Sequence, residues 1–240
     1  MSAGAAPTIL RKSLLSGARE AEGLAVVIDV LRAFTSAAMV LHLGAEKILL
    51  LAEPEAVLKL KGERDCLAVG EVGGEMVPGF DLGNSPSRIL AAGEALFRGR
   101  TVAQRTSAGV TGALAAQRCS HPLILGSYVT ARATAEYIQR RTPPPEVISL
   151  VAMGDGGREV TPDDEGCADY IEHLLTGRPY DHCAVLQEIV QHECTLKFLR
   201  GDQLHFPPAD PLYCLQRDLF DFVIVACTEQ GYLVGRAERS

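Results

Sequence analysis

The residues able to do chemistry sit in short polar turns, and each turn follows an apolar run. Asp29 closes LAVVIDV (24–30), and Glu71 closes CLAVGE (66–71) and opens EVGGEMVPGFDLGNSP, where Asp81, Asn84 and Ser85 precede Pro86. TVAQR (101–105) ends on Arg105 and runs into Thr106-Ser107, LILGS (123–127) ends on Gly126-Ser127, and VISLVA (147–152) leads to Gly154-Asp155-Gly156-Gly157. Hydroxyls, side-chain amides and the free N–H groups of helix N-termini all donate to anions. Carboxylates in their midst would repel an anion unless a hard cation bridges the two, as Mg²⁺ does for phosphate. Each feature also has an ordinary role. Asn84 or Ser85 can cap a helix at Pro86, Asp29 can pair with Arg32, Glu71 can be a solvated loop acid, and Asp155 in GDGG suits a turn. Their recurrence at strand ends points to a common site.

For these turns to meet, a sheet must align them. The runs 24–30, 47–51, 66–71, 101–105, 123–127 and 147–152 predict buried strands, with FVIVAC (222–227) as a late one. Helical patterns fill the gaps: AFTSAAMVLHLG ending at Gly44, EPEAVLKLK, a helix opened by Pro86 and continuing through EALF, then 110–118, 130–140, 164–175 and 181–200. RTPPPE (141–146) reads as a turn and HFPPADPLY as an irregular connection. This alternation predicts one α/β domain over residues 1–240 with a mainly parallel, covered sheet. In such a sheet the carboxyl ends of the strands line one edge, where ligands bind.

Composition narrows the function. A chain of 240 residues with 47% hydrophobic and 22% charged residues can bury a real core. A net charge of −7 argues against a nucleic-acid surface, which needs a basic face. No apolar stretch is long enough to cross a membrane, and MSAGAAPTILRKSLLSG lacks the apolar block of a secretory signal. Seven cysteines, odd in number and scattered, suit reduced thiols and a cytoplasmic location. G-x-G-x-x-G, G-x-x-x-x-G-K-[ST] and G-x-S-x-G are absent. Cys194 and Arg200 have the C-x₅-R spacing of cysteine phosphatases, but CTLKFLR has no glycine to let amides encircle a phosphate. His182, Cys183, His192 and Cys194 do not match a compact zinc set.

VVIDVLRAFTSA, GEVGGEMVPGFDLGNSP, QRTSAGVTGAL, GSYVTARATA and GDGGREVTPDDEGCADYI, in that order, resemble the 2-phosphosulfolactate phosphatase family over residues 24–175. GFDLGNSP is the most specific of the five blocks. The resemblance implies a three-layer α/β/α fold with a mainly parallel, mixed central sheet. It also implies Mg²⁺-dependent hydrolysis of 2-phospho-3-sulfolactate to sulfolactate and phosphate, a step of coenzyme M biosynthesis. The chain departs from the family where Ser107-Ala108-Gly109-Val110 replaces a Thr-Asn-Gly-Thr run, at Thr130, and at Pro162-Asp163-Asp164.

On this basis Asp29, Glu71, Asp81 and Asp164 are the expected Mg²⁺ ligands, and Asp29, Arg32, Glu71 and Asp155 the expected catalytic residues, with Asp155 orienting water. Asn84, Ser85, Arg105, Thr106, Ser107, Gly126, Ser127 and Arg132 are the expected substrate-binding residues, and Arg158 is a further cation near a strand end. The expected partner is a small phosphorylated organic acid, not nucleic acid or membrane. Apolar helices such as AAGEALF suit burial in a homo-oligomer. Two alternatives stand beside this reading: a phosphatase of another small phosphorylated hydroxy acid, and a non-catalytic anion-binding protein.

Overall fold

The computed structural model describes residues 7–239. The chain enters through β1 (Thr8–Ser13) and α1 (Leu14–Arg19), then runs β2 (Leu24–Ile28), α2 (Ala33–His42), β3 (Lys47–Leu50), α3 (Pro54–Glu63) and β4 (Cys66–Val72). The polar loop after β4 contributes β5 (Glu75–Met76) before α4 (Pro86–Ala92) and α5 (Glu94–Phe97). Next come β6 (Thr101–Arg105), α6 (Gly109–Ala116), β7 (Leu123–Gly126), α7 (Ala131–Arg140) and β8 (Val147–Ala152). Helices α8 (Pro162–Thr176), α9 (His182–Gln191), α10 (Glu193–Leu199) and α11 (Asp210–Cys214) precede a final hairpin, β9 (Phe222–Glu229) and β10 (Tyr232–Arg239).

Local chemistry explains the boundaries. Pro54, Pro86 and Pro162 open α3, α4 and α8, where a missing N–H costs nothing. Two expected helices are each broken in two. Gly93, at φ +76°, separates α4 from α5, and His192 leaves the helical region to cap α10 by accepting from the Cys194 amide.

The strands form a ten-stranded sheet in the order β1-β8-β2-β7-β9-β10-β3-β6-β4-β5. Strands β1, β8, β2 and β7 are mutually parallel, as are β3, β6 and β4. The β9–β10 hairpin lies between the two sets and pairs antiparallel with both. The sheet is thus mixed and mostly parallel, as expected, but the three antiparallel junctions make the two sets run in opposite senses. A single edge of carboxyl ends therefore does not exist. Sheet twist of roughly 20–25° per strand accumulates to on the order of 100° between β2 and β6. Residues at the ends of β2, β4 and β6 line one cavity beside the starts of α2 and α6.

Side chains alternate across the sheet with period two. Ala25 and Val27 of β2 join Ile48 and Leu50 of β3 in a core that contains α2 and α6. Leu24, Val26 and Ile28 face the other way, against α7 and α8. Leu49, Ala68 and Ala103 pack on α3. Helices thus cover both faces, giving the three layers. None of the described helices is long and apolar enough to cross a membrane, and the cysteines are free thiols, with Cys66, Cys167, Cys194 and Cys214 buried.

One buried side chain ties two strand ends beneath the turns. Asp164, in the first turn of α8, accepts from the Val30 amide through Oδ1 and from the Gly154 amide through Oδ2, both at 2.7 Å. Asp164→Ala would orphan both amides and should cost about 2–4 kcal/mol in denaturant unfolding. Asp164→Asn keeps one acceptor and should cost less. Equal stability of all three proteins would contradict this role.

Candidate active site

Asp29 leaves β2 almost fully buried, and its Oδ1 accepts from the Ala33 amide at the start of α2 at 2.9 Å. Gly109 approaches so closely that a Cβ there would lie 2.7 Å from Asp29 Oδ2, so any side chain would displace the carboxylate. Glu71, near the end of β4, is equally buried. Its Oε1 accepts from the Ser107 amide at 2.6 Å, and its Oε2 accepts from the Gly74 amide at 2.6 Å and the Ser107 hydroxyl at 3.1 Å. The loops after β4 and β6 are thus clamped onto one carboxylate.

Arg105 acts from behind this clamp. It donates to the carbonyls of Ala52 and Glu71 and to Ser107 Oγ, and it does not line the cavity in front. Thr106 Oγ1 accepts from the Val110 amide at 3.0 Å and so holds the start of α6. Ser85 takes the helix-cap role by accepting from the Arg88 amide, which leaves Asn84 for other work. Asn84 is buried, and its Oδ1 has no hydrogen-bond partner.

These groups face a cavity of about 320 Å³ lined by Asp29, Arg32, Glu71, Asn84, Thr106, Ser107, Asp155 and Lys197, among others. Arg32 donates to Asp210 Oδ2 at 3.0 Å and to the His205 carbonyl at 2.7 Å, with its guanidinium carbon 5.2 and 5.3 Å from the ring centres of Phe198 and Phe206. Asp210 is fully buried and also receives the hydroxyls of Ser85 and Ser87. Lys197 reaches the same cavity from α10 and pairs with Asp155 Oδ2 at 2.7 Å.

Asp29, Arg32, Glu71, Asn84, Thr106, Ser107 and Asp155 therefore share one hollow, and other expected residues do not. Asp81 pairs with Lys61 and accepts from the Ala68 amide, away from the cavity. Asp164, beneath the turns, does not line the cavity either, so the expected four-carboxylate metal set does not assemble. Among the described residues no three His, Cys, Asp or Glu side chains are grouped as a metal site. Ser85 is turned to Asp210, Gly126 is a packing glycine whose Cβ would lie 2.8 Å from Val26 Cγ1, and Ser127 is fully buried off the cavity. Arg132 pairs with Asp218 on another face, and Arg158 does not line the cavity either. Asp155 has one oxygen committed to Lys197 at the rim. The buried Cys194 thiol is pushed up by desolvation, while Arg200 pairs with Glu193 at the surface, so C-x₅-R forms no phosphate loop.

Sequence reading missed Lys197, Phe206 and Asp210. KFLR belonged to a helical pattern, and HFPPADP had the composition of a connection. No local spacing links them to Arg32.

The site is charged in an unusual way. Burial pushes the Asp29 carboxyl from an ordinary 3.8 up to about 7; the Ala33 amide opposes this, and the fields of Asp163 and Glu71 add to it. Asp163 and Asp164 are raised by burial too, and Asp163 Oδ1 has no partner. Arg32 and Lys197, the cations of the cavity, are held by Asp210 and Asp155 and pair with none of these acids.

The sequence model of the family described as 2-phosphosulpholactate phosphatase matches residues 9–229. A protein of Bacillus subtilis (strain 168) named probable 2-phosphosulfolactate phosphatase is 33% identical over 201 residues, covering 83% of this chain and 85% of that protein. One of the same name from Carboxydothermus hydrogenoformans is 33% identical over 227 residues, covering 89% and 90% of the two chains. A third, from Deinococcus radiodurans, is 37% identical over 153 residues, or 63% and 62% of the two chains.

Because the Asp29 pKa is raised on folding, its protonated form stabilises the native state below the ordinary carboxylate range, and that stability is lost as pH rises towards about 7. In divalent-free buffer the melting temperature should therefore fall between pH 5 and pH 8. Asp29→Asn should flatten the decline and exceed the parent at pH 8 by a few kcal/mol, several degrees in melting temperature at this size. Parallel pH profiles for the two proteins in scanning calorimetry would contradict it.

Proposed function

The chain belongs to the 2-phosphosulfolactate phosphatase family, and from that premise we infer that it hydrolyses the phosphate monoester of 2-phospho-3-sulfolactate to 3-sulfolactate and phosphate with the help of Mg²⁺. The observation that carries this reading is the shared cavity. Two buried carboxylates, Asp29 and Glu71, stand with the unpartnered Asn84 amide oxygen on a cavity that also holds Arg32 and Lys197.

The residues fit Mg²⁺. The ion accepts hard oxygen donors, takes one or two carboxylates and keeps the remaining positions for water and substrate phosphate. Asp29 and Glu71 supply two such carboxylates, and no side-chain cation neutralises Asp29. Bound there, Mg²⁺ would supply Lewis acidity towards the phosphoryl oxygens. The chain's own groups do the rest. Arg32 stabilises negative charge on the phosphoryl oxygens from a fixed position, since Asp210 and the two phenylalanines hold its guanidinium. Asn84, Ser107 and Thr106 orient the phosphoryl group, and the aromatic rings of Phe198 and Phe206 shield Arg32 from bulk water. Water adds to phosphorus as the ester P–O bond breaks, and the alcohol oxygen of sulfolactate leaves with a proton. The free thiols favour a cytoplasmic setting, where the product would serve coenzyme M formation.

Ala108 on the cavity wall favours a second reading with the same chemistry, hydrolysis of another small phosphorylated hydroxy acid. Phosphate release from a panel of 2-phospho acids, with millimolar Mg²⁺ or with chelator, separates the two. Release should require Mg²⁺ and be fastest with phosphosulfolactate. A faster relative substrate would favour the second reading, and no release from any monoester would overturn both. Glu71→Gln should lower kcat/KM by about 10²–10³ while the protein stays folded.

Mg²⁺ binding should itself depend on pH. The ion needs the ionised form of Asp29, so affinity should rise up to about tenfold per pH unit below the Asp29 pKa of about 7 and level off above it. Calorimetric titration at pH 5.5 and 8 checks this, and equal affinities would contradict it.

A further inference from the structure

We propose that Lys197 recognises one of the acid groups, carboxylate or sulfonate, that the substrate carries beyond its phosphoryl group, and that Asp155 holds this place until substrate arrives. The proposal rests on the phosphatase reading and extends it to the other end of the substrate.

Two cations face the cavity, and they differ in what neutralises them. Arg32 is matched by Asp210, which is fully buried and is fixed by Ser85 and Ser87 as well as by Arg32 itself. Its guanidinium also donates to the carbonyls of His205 and Gly74. That pair is built in. Lys197 is matched only by Asp155, whose side chain is 54% exposed, whereas the lysine side chain is 17% exposed. An ion pair with one partner in water contributes roughly 0–1 kcal/mol. An incoming carboxylate or sulfonate can therefore replace Asp155 at little cost.

Position supports the same assignment. Lys197 Nζ lies 5.0 Å from the Phe206 ring centre and 6.0 Å from that of Phe198, the rings that flank Arg32. Both cations thus stand beside one aromatic pair, while Asp29 and Glu71 would repel any acid group placed beside them. A phosphorylated acid fits with its phosphoryl group between Arg32 and the acids and its carboxylate or sulfonate on Lys197. A cavity of about 320 Å³ is of the size that holds a small molecule.

The test uses the full chain with phosphosulfolactate and with isopropyl phosphate, a phosphomonoester that has no acid group. The ratio of kcat/KM for the first over the second should fall at least tenfold in Lys197→Met, with the loss carried by KM, and Lys197→Arg should recover most of it. Lys197→Gln provides a second neutral variant should the first not fold. Binding of 3-sulfolactate in the presence of inorganic phosphate, measured by calorimetry, should weaken at least tenfold in the neutral variants. An unchanged ratio, or an unchanged sulfolactate affinity, overturns the proposal. If the parent cleaves no monoester, the phosphatase reading fails on its own account. The sulfolactate titration then decides, with weaker binding in the variants supporting the Lys197 site and no binding or equal binding overturning it.

Discussion

Buried acids without a cationic neighbour are the constraint around which this structure is organised. Asp29, Asp163 and Asp164 are all pushed up by desolvation; the field of Asp163 adds to this at Asp29 and Asp164, and that of Asp29 at Asp164. The cost of an unpaired buried charge is several kcal/mol, against a total stability of about 5–15 kcal/mol for a folded domain. A protein can keep such a group only as its neutral acid or by binding a cation. The nearby arginine and lysine are engaged elsewhere, with Asp210 and Asp155. The unmet charge at Asp29, next to Glu71 in a cavity, is the reason we propose a divalent ion there.

The fold meets this demand in an indirect way. The acids sit at ends of strands that belong to two parallel sets running in opposite senses, separated by the β9–β10 hairpin. Residues at those ends nevertheless line one cavity, beside the starts of α2 and α6. Amides of Ala33, Ser107 and Gly74 converge on the two carboxylates and fix them. Asp164 locks the floor through Val30 and Gly154. A third part of the chain, from α10 to α11, contributes Lys197, the Asp210 that pairs with Arg32, and the aromatic rings beside both cations. The site therefore needs segments from residue 29 to residue 210, and none of them folds around it by local preference alone.

The legible part was what local pattern encodes. The apolar runs became β2, β3, β4, β6, β7 and β8, because a strand buried on both faces shows up as a short hydrophobic run. The polar residues closing those runs were visible for the same reason, which is why Asp29, Glu71, Thr106 and Ser107 were singled out. β1 escaped because TILRKS is a half-buried edge strand with a polar end. β10 escaped because only Leu233, Val234 and Gly235 are buried within a charged sequence. Asp81 and Asn84 share one motif but face different surroundings, and only a tertiary partner, Lys61, separates them. Arg32 was weighed as a partner for Asp29, yet it pairs with Asp210, 178 positions away. Nothing in sequence spacing encodes that contact.

The central claim is that Asp29 and Glu71 together hold a divalent cation beside the phosphoryl group. Its most direct test is anomalous diffraction from crystals soaked in Mn²⁺ as a stand-in for Mg²⁺, with inorganic phosphate present. The account predicts one strong peak within coordination distance of an Asp29 oxygen and a Glu71 oxygen, with phosphate against Arg32 and Asn84. A peak at Asp81, or no peak between Asp29 and Glu71 at saturating Mn²⁺ and neutral pH, would contradict it.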